Sequence, residues 1–248
     1  MWYILFSVLF VTIVNARNLG IIGGEPADIK KFPYIVAVFD WDGFACGGSI
    51  LDEYTILTAG HCLYRVITDD SYIRYGNSNM YKGDKIHIIK YIRHEKFKDM
   101  SPLHYDIGLL KLETPIPFSE IARPVQLPKA SDGTPVNKTG IVVGWGDSGD
   151  GSITNDLRKL DVSVFDDAEC LEDYDNKTIG IFVDTDIEFC AGYRNGQKGA
   201  CHGDSGGPLI VDGVQYGIVS RGHDCAQKEY PTVYTRVSKF LDWIESHK

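Results

Sequence analysis

Nine short runs rich in β-branched and aromatic residues recur along the chain: Tyr34–Phe39, Ser49–Thr58, Lys85–Ile92, Ile107–Leu112, Gly140–Gly144, Leu157–Val164, Pro208–Val211, Gln215–Ser220 and Thr232–Arg236. Glycine, aspartate, asparagine and proline clusters separate them. Short strands with turn residues between them point to an all-β sandwich or barrel. One helix is expected, at the C-terminus, where Val237, Phe240, Leu241 and Ile244 recur at helical spacing with Ser238 near the start. No repeat or low-complexity linker interrupts the pattern. The loop-like stretch Lys129–Pro135 is placed to join two similar halves.

A chain of 248 residues fits one or two domains and does not need disulfides merely to bury a core. With 44% hydrophobic and 24% charged residues, disorder and collagen are excluded. The net charge of −9 argues against nucleic acid as the main partner, because that binding needs clustered positive charge. Charge is uneven: Lys82–Lys98 is basic and Asp166–Glu188 acidic. Both are read as solvated loop faces ahead of surfaces that steer a macromolecular partner. The 26 glycines, about one residue in ten, hint at tight turns or sites built from backbone.

Trp2–Val14 is apolar and uncharged, yet shorter than the roughly twenty residues a bilayer crossing takes. With Val14 and Ala16 before a plausible cut, residues 1–16 read as a secretory signal rather than a buried strand. No other segment approaches a spanning length, so a soluble, secreted product is expected. In that compartment the even set Cys46, Cys62, Cys170, Cys190, Cys201 and Cys225 reads as disulfides, since no pair has zinc-ligand spacing. Spacing alone leaves the pairing open. Asn137-Lys138-Thr139 and Asn176-Lys177-Thr178 are glycosylation sequons.

The strongest chemical signal is Gly203-Asp204-Ser205-Gly206-Gly207-Pro208. A serine nucleophile needs a base, a group to orient that base, and donors for the oxyanion. Glycines around it let backbone N–H groups approach the reacting carbonyl. The candidate base is His61, in Leu57-Thr58-Ala59-Gly60-His61-Cys62, and the candidate orienter is Asp106, leading into Ile107–Leu112. Each is weak alone: a lone histidine is usually structural, and an acid at a strand end is an ordinary cap. Together they occur in the order His, Asp, Ser.

On these motifs the chain resembles the chymotrypsin-like serine proteases, whose triad has that order. The likeness extends from Ile21-Ile22-Gly23-Gly24 through Cys46-Gly47-Gly48-Ser49, Gly144-Trp145-Gly146 and Val233-Tyr234-Thr235-Arg236-Val237 to the C-terminal helix. Ile50–Tyr54 and Phe240–Ser246 look like the mite trypsin-like (group 3 allergen) branch. The resemblance implies two six-stranded antiparallel β-barrels, about 21–128 and 129–236, with a helix over 237–247. It implies Ser205 as nucleophile, His61 as base, Asp106 as orienter, and an oxyanion hole from the N–H groups of Gly203 and Ser205. It pairs Cys46 with Cys62, Cys170 with Cys190, and Cys201 with Cys225. It makes residues 17–20 a propeptide, so that a new N-terminus at Ile21 pairs with Asp204. Its expected partners are a protein or peptide substrate, an activating protease, and a macromolecular inhibitor or host protein. A monomer without cofactor, metal, nucleic acid or membrane is expected.

Three departures matter. Gly20, not Lys or Arg, precedes Ile21, so a trypsin-like activator is an unsuitable one. Gly199 stands where a trypsin carries its pocket aspartate, and Thr232 where an open pocket has glycine. With Gly222 leaving one wall open, these predict a small or medium apolar side chain at the cut. Ser220-Arg221-Gly222 replaces a usual Ser-Trp-Gly, with Arg221 lying across the entrance, favouring an acidic substrate residue, or pointing to solvent. They keep a second reading open, that of a catalytically impaired homologue acting as a binding protein, as in scabies mite paralogues of that branch. Retention of His61, Asp106, Ser205 and Gly203 favours the enzyme.

Overall fold

A computed structural model describes residues 21–64, 66, 70–98, 102–174 and 180–248. The expected signal, the propeptide and Asn176 lie outside them. Residues Glu25–Pro26 (β1), Ile35–Asp40 (β2), Gly43–Ile50 (β3), Thr55–Thr58 (β4), Tyr72–Tyr75 (β5), Asp84–Arg93 (β6) and Gly108–Leu112 (β7) come first. β2 to β7 close an antiparallel barrel in the order β2-β3-β4-β7-β6-β5. Thr139–Gly144 (β8), Arg158–Val164 (β9), Glu188–Gly192 (β10), Pro208–Val211 (β11), Val214–Arg221 (β12) and Thr232–Arg236 (β13) follow. They close a second ring, β8-β9-β10-β13-β12-β11, and β1 pairs with β9 outside it. The two six-stranded antiparallel barrels are those the resemblance implied, and no helix among the described residues is long and apolar enough to cross a membrane.

Strand β2 shows how the barrels join. All six of its residues are buried, because both faces are covered. Val36 and Val38 fill the first barrel with Ile50, Ile56 and Leu109. Ile35, Ala37 and Phe39, on the opposite face by strand alternation, pack against Val143, Trp145, Leu157 and Ile210 of the second. The chain end adds a strap. Residues 237–239 form a short 3-10 turn and Leu241–His247 the helix α2, whose Ile244 joins Phe240 in the first barrel's core.

Two expectations are corrected. Ser49–Thr58 is a hairpin rather than one strand: β3 ends at Ile50, and Asp52 accepts the Tyr54 N–H at 2.9 Å to turn the chain into β4. The C-terminal helix is joined by another within the acidic segment, Asp167–Tyr174; in chain order it is α1. Its apolar periodicity is poor, but its N-terminus carries a reciprocal cap: Asp166 accepts the Glu169 N–H at 2.7 Å while Glu169 accepts the Asp166 N–H at 3.3 Å. Disulfides join Cys46–Cys62, Cys170–Cys190 and Cys201–Cys225, so α1 is tied to β10.

Candidate active site

His61 opens a 3-10 turn directly after β4, and the next residue is pinned to β3 by the Cys46–Cys62 bridge. Asp106 lies two residues before β7. Since Thr58 of β4 pairs with Gly108 of β7, the two strand ends bring His61 and Asp106 together. Asp106 is fully buried. Its Oδ2 meets His61 Nδ1 at 2.7 Å and accepts the Ser220 hydroxyl at 2.6 Å, while Oδ1 accepts the His61 backbone N–H at 2.8 Å. Its carbonyl accepts the Thr235 hydroxyl at 2.8 Å.

The electrostatics follow from this. Burial pushes the Asp106 carboxyl up, but the His61 charge and the hydrogen bonds from His61 and Ser220 outweigh it and hold it below its usual range. Burial lowers His61, yet the Asp106 charge and hydrogen bond leave it raised; Arg221 pulls the other way. An imidazole bonded through Nδ1 to a fixed carboxylate has a set orientation and presents Nε2 for proton transfer.

Ser205 sits in the turn before β11. Gly203 has φ of +91°, a backbone region that favours glycine. Among the described residues the N–H groups of Gly203 and Ser205 have no acceptor, and so remain available. The Ser205 carbonyl accepts the Gly47 N–H of β3 at 2.8 Å, fastening the turn to the first barrel. A Cβ on Gly206 would come 3.1 Å from the Ala59 nitrogen, two residues before His61. No hydrogen bond joins Ser205 Oγ to His61 Nε2 among the described residues; Cys62 Sγ lies 3.8 Å from Nε2. Such bonds often tighten only with substrate bound.

Asp204 is turned inward and buried. Gly146 N–H donates to its Oδ1 and Cys201 N–H to its Oδ2, both at 2.9 Å, and no cation meets it among the described residues. Burial, opposed by those two bonds, raises its pKa to about 7. A Cβ on Gly146 would collide with this carboxyl, which explains the glycine in Gly144-Trp145-Gly146. Ile21 is buried beside Val142, Leu160 and Tyr234 in the second barrel's core, and the Ile22 carbonyl accepts the Gly199 N–H at 3.1 Å.

Next to Ser205 opens a cleft of about 230 Å³, walled in part by Ala200, Val219, Ser220, Gly222, Asp224 and Thr232. Gly199 is absent from its lining. Arg221 also borders it but takes none of the three courses expected for it. Its guanidinium folds back onto Glu188, Nη1 to Oε1 and Nη2 to Oε2 at 2.8 Å each. A carboxylate of matching fork geometry was available on β10, and two paired charges lose less on burial than one. Sequence reasoning missed Glu188, His104, Asp224 and the Thr235 bond. Glu188 was legible only as one of nine acids in a segment taken for a solvated face, and Asp224 lines the cleft as an exposed residue.

Among the described residues two groups hold sulfur and imidazole close enough to share a metal, Cys46/His61/Cys62 and Cys201/His202/Cys225, but the sulfurs in both are tied in disulfides. Disulfide sulfur lacks the thiolate that makes cysteine a ligand. Asn137 is exposed, with its backbone in the left-handed region.

Comparison with known proteins agrees with this geometry. The trypsin family profile matches residues 21–244. The trypsin of Simulium vittatum is 37% identical over 94% of this chain and 94% of its own length. Trypsin-1 of Astacus astacus is 38% identical over 92% and 99% respectively. Among solved structures, neuropsin, a serine protease expressed in the limbic system of mouse brain, is similar at a TM-score of 0.79 and 29% identity, over 90% of this chain and 97% of that one. The chain belongs to the trypsin family and is a serine protease.

Proposed function

We propose that the protein is a secreted endopeptidase acting through Ser205, His61 and Asp106. The observation that carries this reading is the fully buried Asp106 bonded at once to both His61 nitrogens, side-chain and backbone, and to Ser220. Ser205 Oγ attacks the substrate carbonyl carbon while its proton passes to His61 Nε2. The oxygen that becomes negative is met by the N–H groups of Gly203 and Ser205. Collapse breaks the C–N bond, and His61 returns the proton to the leaving amine. Water, deprotonated by His61, then cleaves the acyl-enzyme and restores Ser205.

The preferred residue on the acyl side of the cut is small or medium and apolar. Supporting this, Thr232 lines the cleft, the position of a trypsin's pocket aspartate holds Gly199, and the carboxylate on the lining, Asp224, is an exposed one. A Cβ at Gly199 would lie 3.2 Å from Ala226 Cα, so a trypsin-like aspartate would need that loop to move. The protein is made as a zymogen and activated by cleavage before Ile21, by stepwise N-terminal removal or by an endoprotease other than a trypsin. The freed amino group is the missing cation for Asp204. Ile50–Tyr54 and Phe240–Ser246 favour a place in the mite trypsin-like branch. Asn137 and Asn176 are the glycosylation sites of the secreted form.

A serine-reactive phosphonate tests the catalytic reading. It should label the protein starting at Ile21, and Ser205→Ala should abolish the labelling. A folded, unlabelled protein would instead be a binding homologue. A peptide library then reads the specificity.

A further inference from the structure

Arg221 ends β12 at the edge of the substrate cleft, where the family resemblance led us to expect a tryptophan. Both of its terminal nitrogens are partnered, while its buried Nε has no hydrogen-bond acceptor among the described residues. Besides the two bonds to Glu188, Nη2 donates to the Phe182 carbonyl at 2.6 Å. The Glu188 carboxylate also meets His104 Nδ1 at 3.1 Å and accepts the Asp184 N–H at 3.0 Å. The pair is desolvated: the Arg221 side chain is 9% exposed and that of Glu188 1%. Stability alone does not explain it, since apolar side chains of similar volume commonly do as well as a buried ion pair or better.

Its location does explain it. Arg221 Nη1 lies 3.5 Å from Ser220 Oγ, the hydroxyl that donates to Asp106 Oδ2. A donor so placed disfavours rotation of the Ser220 hydroxyl back toward Arg221, which has no lone pair to offer, and so keeps its hydrogen on Asp106. The guanidinium also turns the positive end of the Arg221–Glu188 pair toward Ser220 and the triad behind it. Asp106 draws a proton onto His61; Arg221 is the charge that opposes it. A base that protonates too readily is lost to catalysis in mild acid, so a fixed cation nearby widens the range in which it is free to accept a proton.

We propose that Arg221, clamped by Glu188, is a positioning residue of the triad that orients the Ser220 hydroxyl on Asp106 and extends the enzyme's working range toward lower pH. The inference rests on the triad reading above. The groups that bear on it are few. His61 faces Asp106, Arg221 and the disulfide sulfur of Cys62. Arg221 faces Glu188, Ser220 and the Tyr174 phenol. Glu188 faces Arg221 and His104, the other imidazole of the network.

The test is the pH profile of kcat/KM on a short peptide substrate, with active molecules counted by phosphonate labelling. The variants are Arg221→Met/Glu188→Met, which removes both charges together, and Arg221→Lys, which keeps the cation. Each is also made with His104→Gln. In the double variant the acid limb should move up by about half a pH unit, lowering kcat/KM below the limb roughly threefold against its own plateau. Arg221→Lys should return the limb toward the wild type, and the shift should survive His104→Gln. A double variant with an unchanged limb and only KM altered would make Arg221 a mere cleft wall and overturn the proposal. So would a shift that disappears with His104→Gln. Arg221→Gln/Glu188→Gln, which also removes both charges, carries the same readings if the methionine double variant does not fold. Failure of wild-type protein to take the phosphonate would sink the triad reading itself, a separate result.

Discussion

Asp106 takes hydrogen bonds from both barrels: the His61 ring and backbone come from the first, Ser220 and Thr235 from the second. Removing one of them tests how much orientation each supplies. Ser220→Ala deletes a buried, charge-assisted bond of the kind worth about 1.5–3 kcal/mol, and should lower kcat about tenfold or more with KM little changed. Steady-state kinetics on active-site-titrated protein checks this. Thr232→Gly should enlarge the cleft and raise kcat/KM for a leucine or phenylalanine substrate, relative to alanine, by about tenfold or more, since one methylene in such a pocket is worth about 1–3 kcal/mol. Paired peptides differing only at that residue give the ratio. At this scale the triad was legible because catalysis confines its members to short local motifs. Glu188 and His104 were not, because 84 residues separate them and they meet only where the loop before β7 of the first barrel touches β10 of the second.

At the scale of elements, periodicity found most strands but missed β1, β5 and β10, and it misread two further places where another rule governed. In Ser49–Thr58 a run read as one strand holds a tight turn, closed by the Leu51 N–H on the Thr55 carbonyl and by the Asp52 side chain on the Tyr54 N–H, both at 2.9 Å. In α1 the reverse occurred: mean polarity is high, so nothing marks an apolar face, yet Asp166 and Glu169 hold the spacing of a capping box. Asp166→Ala should cost about 1 kcal/mol, within the roughly 0.5–2 kcal/mol range for such caps. Urea unfolding of Ser205→Ala protein, with and without the change, measures it. Because α1 is bridged to β10 by Cys170–Cys190, and β10 carries Glu188, a frayed α1 also loosens the wall behind Arg221.

At the scale of the whole molecule, the buried Asp204 predicts a loss of stability in different pH windows before and after cleavage at Ile21. Without a cation its pKa stands at about 7, against an ordinary 3.8. An acid whose folded pKa is raised stabilises the fold fully below its unfolded pKa, and that contribution is lost as pH rises through about 7. The uncut chain should therefore weaken between about pH 4 and 7. The proposed pairing of the Ile21 ammonium with this carboxylate after cleavage would raise the amino pKa. That stabilisation is full below the unfolded amino pKa and disappears as pH rises through the folded one. Urea midpoints of uncut and cut Ser205→Ala protein at pH 4.5, 7 and 9 should diverge in favour of the cut form toward neutral pH. Activity of the mature enzyme should fall at alkaline pH; a profile flat to about pH 11 on stable protein would refute the pairing.

The bond from the Gly47 N–H of β3 to the Ser205 carbonyl, together with the two-faced burial of β2, gives each half of the chain a share in the other's chemistry. Neither barrel holds a complete site. If the protein is nicked within 129–135 and its halves are separated, each fragment should be inert. On mixing, hydrolysis should return with a concentration dependence that reports how tightly the fragments associate. Catalysis in this fold is thus a property of the seam, and turnover becomes an assay of assembly.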